Sequence, residues 1–236
     1  MPVALVTGAS KGFGRAVAGA LARRGWTLVV DARTAEELHR AVGQLPAVSA
    51  VPGDVADPAH RAELAAAVRR HDRLDLLVNN ASSLGPMPPL DRYPLGELAR
   101  VYQVNVFAPL ALAQLLLPDL VAAQGILVNV SSDAAVEAYE GWGGYGSAKA
   151  ALDQLTAVLG AEQPSLRAYA FDPGDMRTDM HQQAFPGEDI SDRPSPESVV
   201  PALLRLLDER PPSGRYRSAD LLADPPAAIT PAPVSA

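Results

Sequence analysis

The chain has 236 residues, 48% of them hydrophobic and 20% charged, which is typical of a globular protein of one domain. Its formal net charge of −7 argues against nucleic acid as the main partner, because phosphate binding needs a basic surface. The sequence contains no cysteine, which excludes disulfides and thiolate metal sites. No metal is predicted either, because the histidines lack ligand spacing and are expected at the surface: His39, His60, His71 and His181.

No segment of the sequence predicts export or membrane insertion. An apolar strand begins at residue 3, with no basic stretch of the kind that opens a signal peptide. The longest apolar run, residues 108–120, is interrupted by Gln114, Pro118 and Asp119 and is too short to cross a bilayer. We therefore expect a cytoplasmic protein with no membrane partner.

Short apolar runs alternate with helical patterns along the chain. Strands are predicted at residues 3–7, 27–31, 48–51, 74–79, 126–131, 167–171 and 214–218. Helices are predicted at 13–24, 34–44, 58–71, 95–117, 147–162 and 196–209. Several strand runs are apolar throughout, which is typical of a parallel sheet covered on both faces.

This alternation predicts an α/β fold: a doubly wound, mainly parallel, seven-stranded Rossmann-type sheet with helices on both faces. A single domain is expected over residues 1–222, with a short substrate lid at about 179–195. The tail at 223–236 is rich in proline and alanine and is expected to be poorly ordered.

A glycine-rich loop joins the first strand to the first helix. Gly8, Gly12 and Gly14 follow the pattern GxxxGxG. Glycines at this place allow a tight turn and a close approach of the backbone to a pyrophosphate, whose charge is favoured by the free N–H groups of the helix N-terminus. The loop therefore predicts a dinucleotide site.

With these glycines, the run "TGASKGFG" at 7–14 resembles the single-domain branch of the short-chain dehydrogenase/reductase family. The resemblance continues in order over roughly residues 1–180. "NNAS" is similar to the family's NNAG, with Ser82 in place of the glycine. The matching motifs are "GDV" (53–55), "NNAS" (79–82), "VYQVN" (101–105), "NVSS" (129–132), "YGSAK" (145–149) and "DPGDMRT" (172–178).

The resemblance implies an oxidoreductase that interconverts a ketone or aldehyde and an alcohol by hydride transfer. A tyrosine needs a stabilised phenolate to exchange protons near neutral pH, and a lysine four residues later lies on the same helix face. Tyr145 is thus expected to be the general acid/base, with its pKa lowered by Lys149 together with the positive charge of an oxidised nicotinamide. The resemblance also implies that Lys149 holds the nicotinamide ribose. By the same resemblance Ser132, rather than its neighbour Ser131, orients the substrate oxygen, and Asn105 binds a water that links Lys149 to solvent.

The same resemblance implies a set of cofactor contacts. They are Gly8, Ser10, Lys11, Gly12, Phe13, Gly14, Arg33, Asp54, Val55, Asn79, Ala81, Tyr145, Lys149, Pro173, Gly174, Met176 and Thr178.

The end of the second strand bears on the choice between NAD(H) and NADP(H). An acid there binds the ribose 2′-OH, whereas a basic residue accommodates a 2′-phosphate. NAD-preferring relatives carry the acid at the position of Ala32, and NADP-preferring relatives carry basic residues at the positions of Lys11 and Arg33. The sequence therefore favours NADP(H). NAD(H) stays open because of Asp31, although strand alternation should turn Asp31 away from the face of Ala32.

The substrate is a small carbonyl compound or alcohol that the sequence does not define further. Tyr139, Trp142 and Met180 are candidates for its pocket. Relatives commonly pair two helices like those at 95–117 and 147–162, so a homodimer or homotetramer is expected. Two alternatives to a carbonyl reductase are a nucleotide-binding regulatory protein without redox turnover and an isomerase or dehydratase on the same scaffold.

Overall fold

A computed structural model describes residues 1–223, so the predicted tail at 223–236 lies outside the described residues from position 224 onward. Within this range seven strands form one sheet, and every neighbouring pair is parallel. The strands are β1 Val3–Val6, β2 Thr27–Ala32, β3 Val48–Pro52, β4 Leu76–Asn79, β5 Ile126–Val130, β6 Arg167–Asp172 and β7 Gly214–Arg217. Their spatial order, β3-β2-β1-β4-β5-β6-β7, confirms the predicted doubly wound sheet.

Helices cover both faces of this sheet. They are α1 Gly12–Arg23, α2 Ala35–Val42, α3 Pro58–Arg69, α4 Leu95–Tyr102, α5 Ala108–Ala122, α6 Gly143–Glu162, α7 Asp179–Ala184, α8 Pro196–Glu209 and α9 Ser218–Leu222. A π-helical turn, Gln103–Phe107, joins α4 to α5. The short helices α7 and α9 have no counterpart in the sequence prediction.

The core consists of two apolar layers, one on each side of the sheet. Val6 of β1 faces a layer that includes Leu203 of α8, whereas its neighbour Leu5 faces a layer that includes Leu116 of α5. Successive side chains of a strand point to opposite faces. Both must therefore be apolar when helices cover both faces, which explains the unbroken apolar strands.

The helical run from Leu95 to Ala122 is the one described segment long and apolar enough to cross a membrane by length and composition. Its most apolar window has a mean hydropathy of 1.7, and 44% of that window is buried inside the protein. Leu112, Leu116 and Leu120 of this run lie in the core layer beneath the sheet. Burial in the core accounts for the apolar residues on this face of the run.

Two glycines allow helix α6 to begin earlier than predicted, at Gly143 instead of residue 147. A Cβ atom on Gly143 would lie 2.3 Å from Leu90 Cδ2, and one on Gly144 would lie 2.2 Å from the Tyr93 hydroxyl oxygen. Any side chain at these positions would push the segment around Leu90 and Tyr93 away. The glycines before Tyr145 thus permit close packing at the start of the helix.

Strand order reverses between β1 and β4, because the chain runs from β1 outward to β3 and then returns to the other side of β1. In doubly wound sheets the crevice at the carboxyl ends of such strands is where ligands bind. A cleft of about 320 Å³ opens at this edge.

Candidate active site

The glycine loop forms the floor of the cleft at the end of β1. Gly8 and Gly12 have φ angles of +67° and +55°, which favour glycine. A Cβ on Gly8 would lie 2.9 Å from Ala81 Cα, and one on Gly14 would lie 2.4 Å from the Gly8 carbonyl oxygen. The three glycines therefore let the loop, helix α1 and the end of β4 pack without side chains between them.

The N-terminus of α1 faces this cleft. Lys11, the residue before the helix, caps none of the first amides with its side chain, and Gly12 and Phe13 line the cleft. Gly12 faces Thr178 across it, since a Cβ on Gly12 would lie 3.5 Å from Thr178 Cγ2. Free N–H groups at a helix N-terminus favour an anion, so this cradle fits the pyrophosphate of a dinucleotide.

Asp31 borders the cleft and supports the glycine loop with its carboxylate. Its Oδ1 accepts a hydrogen bond of 2.7 Å from the Gly8 N–H, and its Oδ2 lies 3.1 Å from His60 Nε2. Asp31 is only 1% exposed, and burial raises its pKa. Both carboxylate oxygens of Asp31 thus already have a partner inside the protein.

His60 corrects an expectation from the sequence, which assigned all four histidines to the surface. The ring is 4% exposed, and its hydrogen bond to Asp31 raises the pKa of His60. His181 is also largely enclosed, with a side chain 9% exposed, and it lines the cleft. The residues next to His60 in sequence do not reveal that its ring is buried, because its partner Asp31 is 29 residues away.

The two basic residues predicted to favour NADP(H) both line the cleft. Lys11 Nζ lies 3.2 Å from Asp179 Oδ2 in an exposed ion pair that joins the glycine loop to α7. Arg33 follows β2 directly and is exposed, and its guanidinium has no hydrogen bond or ion pair to any of residues 1–223. Arg33 is therefore available to a ligand.

The opposite ends of the cleft are formed by two loops that the sequence also predicted. Asp54 and Val55, after β3, line one end. Pro173, Gly174, Met176 and Thr178, after β6, line the other. The φ of Gly174 is +69°, and its N–H donates a 3.0 Å hydrogen bond to Asp172 Oδ1, which fixes the turn.

Ser132, Tyr145 and Lys149 line the same cleft. The Ser132 hydroxyl donates a 2.8 Å hydrogen bond to Asp133 Oδ1. Lys149 is 2% exposed, donates a 2.7 Å hydrogen bond to the Val130 carbonyl, and has its Nζ 5.5 Å from the centre of the Tyr145 ring. Both Tyr145 and Lys149 project from one face of α6, as the spacing predicted.

Burial dominates the pKa values of Tyr145 and Lys149. Burial raises the pKa of Tyr145 to about 12, and the nearby hydroxyls of Ser82 and Ser132 offset only part of this effect. Burial lowers the pKa of Lys149 to about 8. Burial therefore dominates the pKa of Tyr145 in the protein alone, since desolvation disfavours the phenolate.

Asn105 lies in the π-helical turn and is 1% exposed. Its side chain clamps the segment after β4: Oδ1 accepts a 2.8 Å hydrogen bond from the Ser83 N–H, and Nδ2 donates one of 2.8 Å to the Ser83 carbonyl. Oδ1 also accepts a 3.2 Å bond from the Ser82 hydroxyl. These contacts occupy the amide, so a water-binding role would fall to the Asn105 backbone.

Asn79 is misassigned by one residue in the sequence prediction. Its side chain does not line the cleft but donates a 2.8 Å hydrogen bond to Asn129 Oδ1, on the side of the sheet that α6 covers. Asn80 instead contacts the glycine loop, donating to the Thr7 carbonyl at 2.8 Å. Neighbouring residues at a strand end point to opposite sides, which motif matching alone does not resolve. Gly14 likewise packs beneath the loop rather than in the cleft.

The apolar end of the cleft contains two of the three predicted pocket residues. Trp142 and Met180 pack around Tyr145, and the Trp142 and Tyr145 rings meet edge-on at 5.8 Å. Tyr139 does not line the cleft; its ring meets Trp142 edge-on at 6.1 Å, and its hydroxyl lies 3.0 Å from Asp133 and 2.8 Å from Glu137. Tyr139 therefore supports the rim through Trp142.

Several residues at the site were not singled out from the sequence as candidates. They are Thr34, Glu37, Gly53, Asn80, Ser82, Ser83, Leu84, Val104, Val130, Asp133, Asp172, Asp175, Asp179 and Ala184. Of these residues, Ser82 could have been identified from the sequence, because it replaces the glycine of the family motif.

The comparisons with known proteins agree with this architecture. A family model described as short chain dehydrogenase matches residues 2–189. Mouse sepiapterin reductase is 36% identical over 201 residues, covering 77% of this chain and 77% of the relative.

Two solved structures of dehydrogenases have a similar fold. A short chain dehydrogenase from Shigella flexneri complexed with NADP has a TM-score of 0.84 at 32% identity, covering 92% of this chain and 96% of that one. An alcohol dehydrogenase from Thermococcus sibiricus complexed with 5-hydroxy-NADP also has a TM-score of 0.84, at 27% identity, covering 92% and 95%.

The doubly wound sheet and its glycine cradle are those of the Rossmann-type class of folds. Within that class, the chain belongs to the short-chain dehydrogenase/reductase family of oxidoreductases.

Proposed function

We propose that this protein is an NADP(H)-dependent oxidoreductase that interconverts a ketone or aldehyde and an alcohol. The observation that carries this proposal is the arrangement of Ser132, Tyr145 and Lys149 along one cleft whose floor is an anion-binding glycine cradle. When bound, the nicotinamide supplies or accepts the hydride. The protein must therefore hold the substrate oxygen and exchange one proton with it.

Tyr145 is the proton donor in reduction. With its pKa raised to about 12, the phenol is protonated at neutral pH and can donate to a carbonyl oxygen that gains charge. The Ser132 hydroxyl lies near the Tyr145 hydroxyl and donates a second hydrogen bond to the same oxygen. Asp133 holds the Ser132 hydroxyl at 2.8 Å until a substrate competes for it.

Lys149 supplies positive charge beneath the ring of Tyr145. Its pKa of about 8 leaves the ammonium largely protonated at neutral pH. That charge stabilises the tyrosinate that remains after proton donation. In alcohol oxidation the same tyrosinate acts as the base.

The preference for NADP(H) rests on Lys11 in the glycine loop and Arg33 after β2, which both line the cleft. Both can pair with a 2′-phosphate through charge-assisted hydrogen bonds. Asp31 does not oppose such a phosphate, because its carboxylate is buried against Gly8 and His60. The Shigella relative complexed with NADP supports the same assignment.

The substrate is a carbonyl compound with an apolar body, which packs against Trp142, Met180 and Leu84. Relatives that are called sepiapterin reductase and alcohol dehydrogenase agree with carbonyl or alcohol chemistry. Met180 belongs to the segment 179–195, which we propose closes over the substrate as a lid.

We propose that the protein acts in the cytoplasm as a homodimer or homotetramer. Apolar side chains remain exposed on the helices that relatives were expected to pair: Phe107 is 51% exposed, Leu115 38% and Val158 41%. Covering them in a second copy would bury apolar surface. Sedimentation of the purified protein measures the assembly, and a monomer at micromolar concentration contradicts it.

The proposed activity is tested by following the reduced-nicotinamide absorbance with a panel of ketones, aldehydes and alcohols. Tyr145→Phe should lower kcat at least a hundredfold, because it removes the transferable proton. Tyr102→Phe is the matched control, since Tyr102 lies outside the cleft and packs against Phe107. Absence of turnover with every compound, or full activity of Tyr145→Phe, contradicts the proposal.

A further inference from the structure

Arg215 in β7 lies beneath the site, although nothing in the sequence marked it. Its side chain is 12% exposed. The guanidinium donates hydrogen bonds to Asp153 Oδ2 at 3.0 Å, to Asp172 Oδ2 at 2.8 Å and to the Ser132 carbonyl at 2.9 Å. One side chain thus joins three different elements.

Each acceptor belongs to an element that carries part of the site. Asp153 lies on α6 in the same row as Tyr145 and Lys149, at successive intervals of four residues. Asp172 ends β6 and also accepts the N–H of Gly174, the turn that lines the cleft. The Ser132 carbonyl belongs to a residue that lines the cleft and whose hydroxyl is proposed to bind the substrate oxygen. Arg215 therefore fixes the distances between the proton donor, the serine and the β6 loop.

The charges around Lys149 balance because of Arg215. Asp153 on α6 and Asp172 on β6 are carboxylates with side chains 14% and 5% exposed. Asp153 raises the pKa of Lys149, which burial lowers, and Asp172 raises the pKa of Tyr145. Asp133, beside Ser132, also raises the pKa of Tyr145.

Arg215 is the cation that faces these carboxylates from β7. Burial raises the pKa of Asp153, and the Arg215 guanidinium lowers it. The two carboxylates are thus matched by two cations, Arg215 and Lys149.

We propose that Arg215 is a positioning residue of this active site: it ties the Ser132 backbone, Asp153 and Asp172 together and shields Lys149 and Tyr145 from the two carboxylates. This inference rests on the proposed function for its catalytic consequence. The network of Arg215 with Asp153, Asp172 and the Ser132 carbonyl is observed directly and does not depend on the proposed function.

The sequence offers a direct probe of this network, because its two lysines are Lys11 and Lys149. In protein labelled with ¹³C-lysine, the Cε signals therefore report two titrations, and Lys11→Arg assigns them. Asp153→Asn should lower the midpoint of Lys149 by about one pH unit, because it removes an anion. Arg215→Met should raise that midpoint, because it removes a cation, and the double variant should lie between the two.

These opposite directions separate electrostatic positioning from simple loosening. A loosened fold hydrates Lys149 and raises its midpoint in every variant. The matched control is Arg217→Met on the same strand, where Arg217 pairs with exposed Asp220 at 2.8 Å, and it should leave the midpoint unchanged. An unchanged midpoint in Arg215→Met and Asp153→Asn, or an increase in both, overturns the proposal. If Arg215→Met does not fold, Arg215→Lys replaces it: it keeps the charge but not the planar fork, so kcat should still fall, and an unchanged kcat overturns the positioning role.

Turnover tests the geometric part. Arg215→Met should lower kcat about tenfold or more with a smaller change in KM, because Ser132 loses its fixed position. Arg215→Lys should recover part of the loss. Full kcat in Arg215→Met overturns the positioning role. If the wild-type protein has no turnover with any substrate, the proposed function fails. The titration of Lys149 still tests the electrostatic effect of Arg215, because it requires no substrate.

Discussion

Asp31 and His60 form a buried pair under the glycine loop, with Oδ2 and Nε2 3.1 Å apart and both residues less than 5% exposed. The other oxygen of Asp31 holds the Gly8 N–H, and the Asp31 carbonyl accepts the Ala9 N–H at 2.8 Å. The end of β2 thus fixes the first turn of the loop through both its side chain and its backbone. Through its contact with Asp31, His60 connects helix α3 to the end of β2.

The pair predicts a pH dependence of stability. The hydrogen bond to Asp31 raises the pKa of His60 above its ordinary value of 6.5, so the folded state holds the proton more tightly than the unfolded state. The resulting stabilisation is fully present below about pH 6.5 and is lost as the pH rises through the folded-state value. Urea unfolding between pH 6 and 8 should therefore show a declining free energy of unfolding that is flatter in His60→Gln. Parallel slopes in the two proteins contradict this prediction.

Gly53 keeps space for the His60 ring. A Cβ at position 53 would lie 2.2 Å from His60 Nδ1 and 2.5 Å from its Cγ. Gly53→Ala should therefore displace the ring and destabilise the protein by about 1–3 kcal/mol. Thermal unfolding measures the effect.

The control for this change is Gly96→Ala within α4, where a Cβ would meet nothing within 4 Å. Alanine favours a helix over glycine, so this variant should gain roughly 0.5–1 kcal/mol. Equal stability changes in the two variants would count against a specific clash with His60.

The sequence could predict whatever depends on local pattern. The apolar strands, the glycine loop and the i, i+4 spacing of Tyr145 and Lys149 need only neighbouring residues, and the structure has each of them. Relationships that depend on distant partners could not be predicted. Arg215 meets the Ser132 carbonyl across 83 residues, and no local pattern marks either as a partner.

Single-residue errors have a different cause. Asn79 and Asn80 are adjacent and chemically identical, and only the pleat at the end of β4 decides that Asn80 faces the glycine loop. The burial that raises the pKa of Tyr145 follows from packing by Leu84, Trp142 and Met180, which are distant from it in sequence or lie in loops. Both outcomes require the assembled fold.

Removing the guanidinium of Arg33 should change cofactor selectivity. Arg33→Ala should weaken NADPH binding about tenfold and NADH binding much less, because only NADPH carries the 2′-phosphate. Titration of each nucleotide with the purified protein measures the two Kd values. Equal losses for both nucleotides would refute the 2′-phosphate assignment.

Asp179 provides a test of opposite sign at the same site. Lys11 pairs with Asp179 at 3.2 Å, so Asp179→Asn should release Lys11 and strengthen NADPH binding relative to NADH. Lys11→Gln should do the reverse. A weaker NADPH affinity in Asp179→Asn would show that the ion pair holds the loop rather than competing with the phosphate.

Ser82 stands where relatives were expected to have glycine, and its hydroxyl lowers the pKa of Tyr145. In this structure the Ser82 hydroxyl donates its one hydrogen to Asn105 Oδ1 at 3.2 Å, and it would turn that hydrogen to Tyr145 when the tyrosinate forms. Ser82→Ala removes a donor to the tyrosinate, so the pH profile of kcat/KM for alcohol oxidation should move upward by about one pH unit. Ser82→Gly should do the same. Ser147→Ala is the matched control, because Ser147 is exposed on α6 and bonds only the Gly144 carbonyl among the described residues. If the Ser82→Ala profile coincides with that of the wild type and the control, the hydroxyl takes no part in the ionisation of Tyr145.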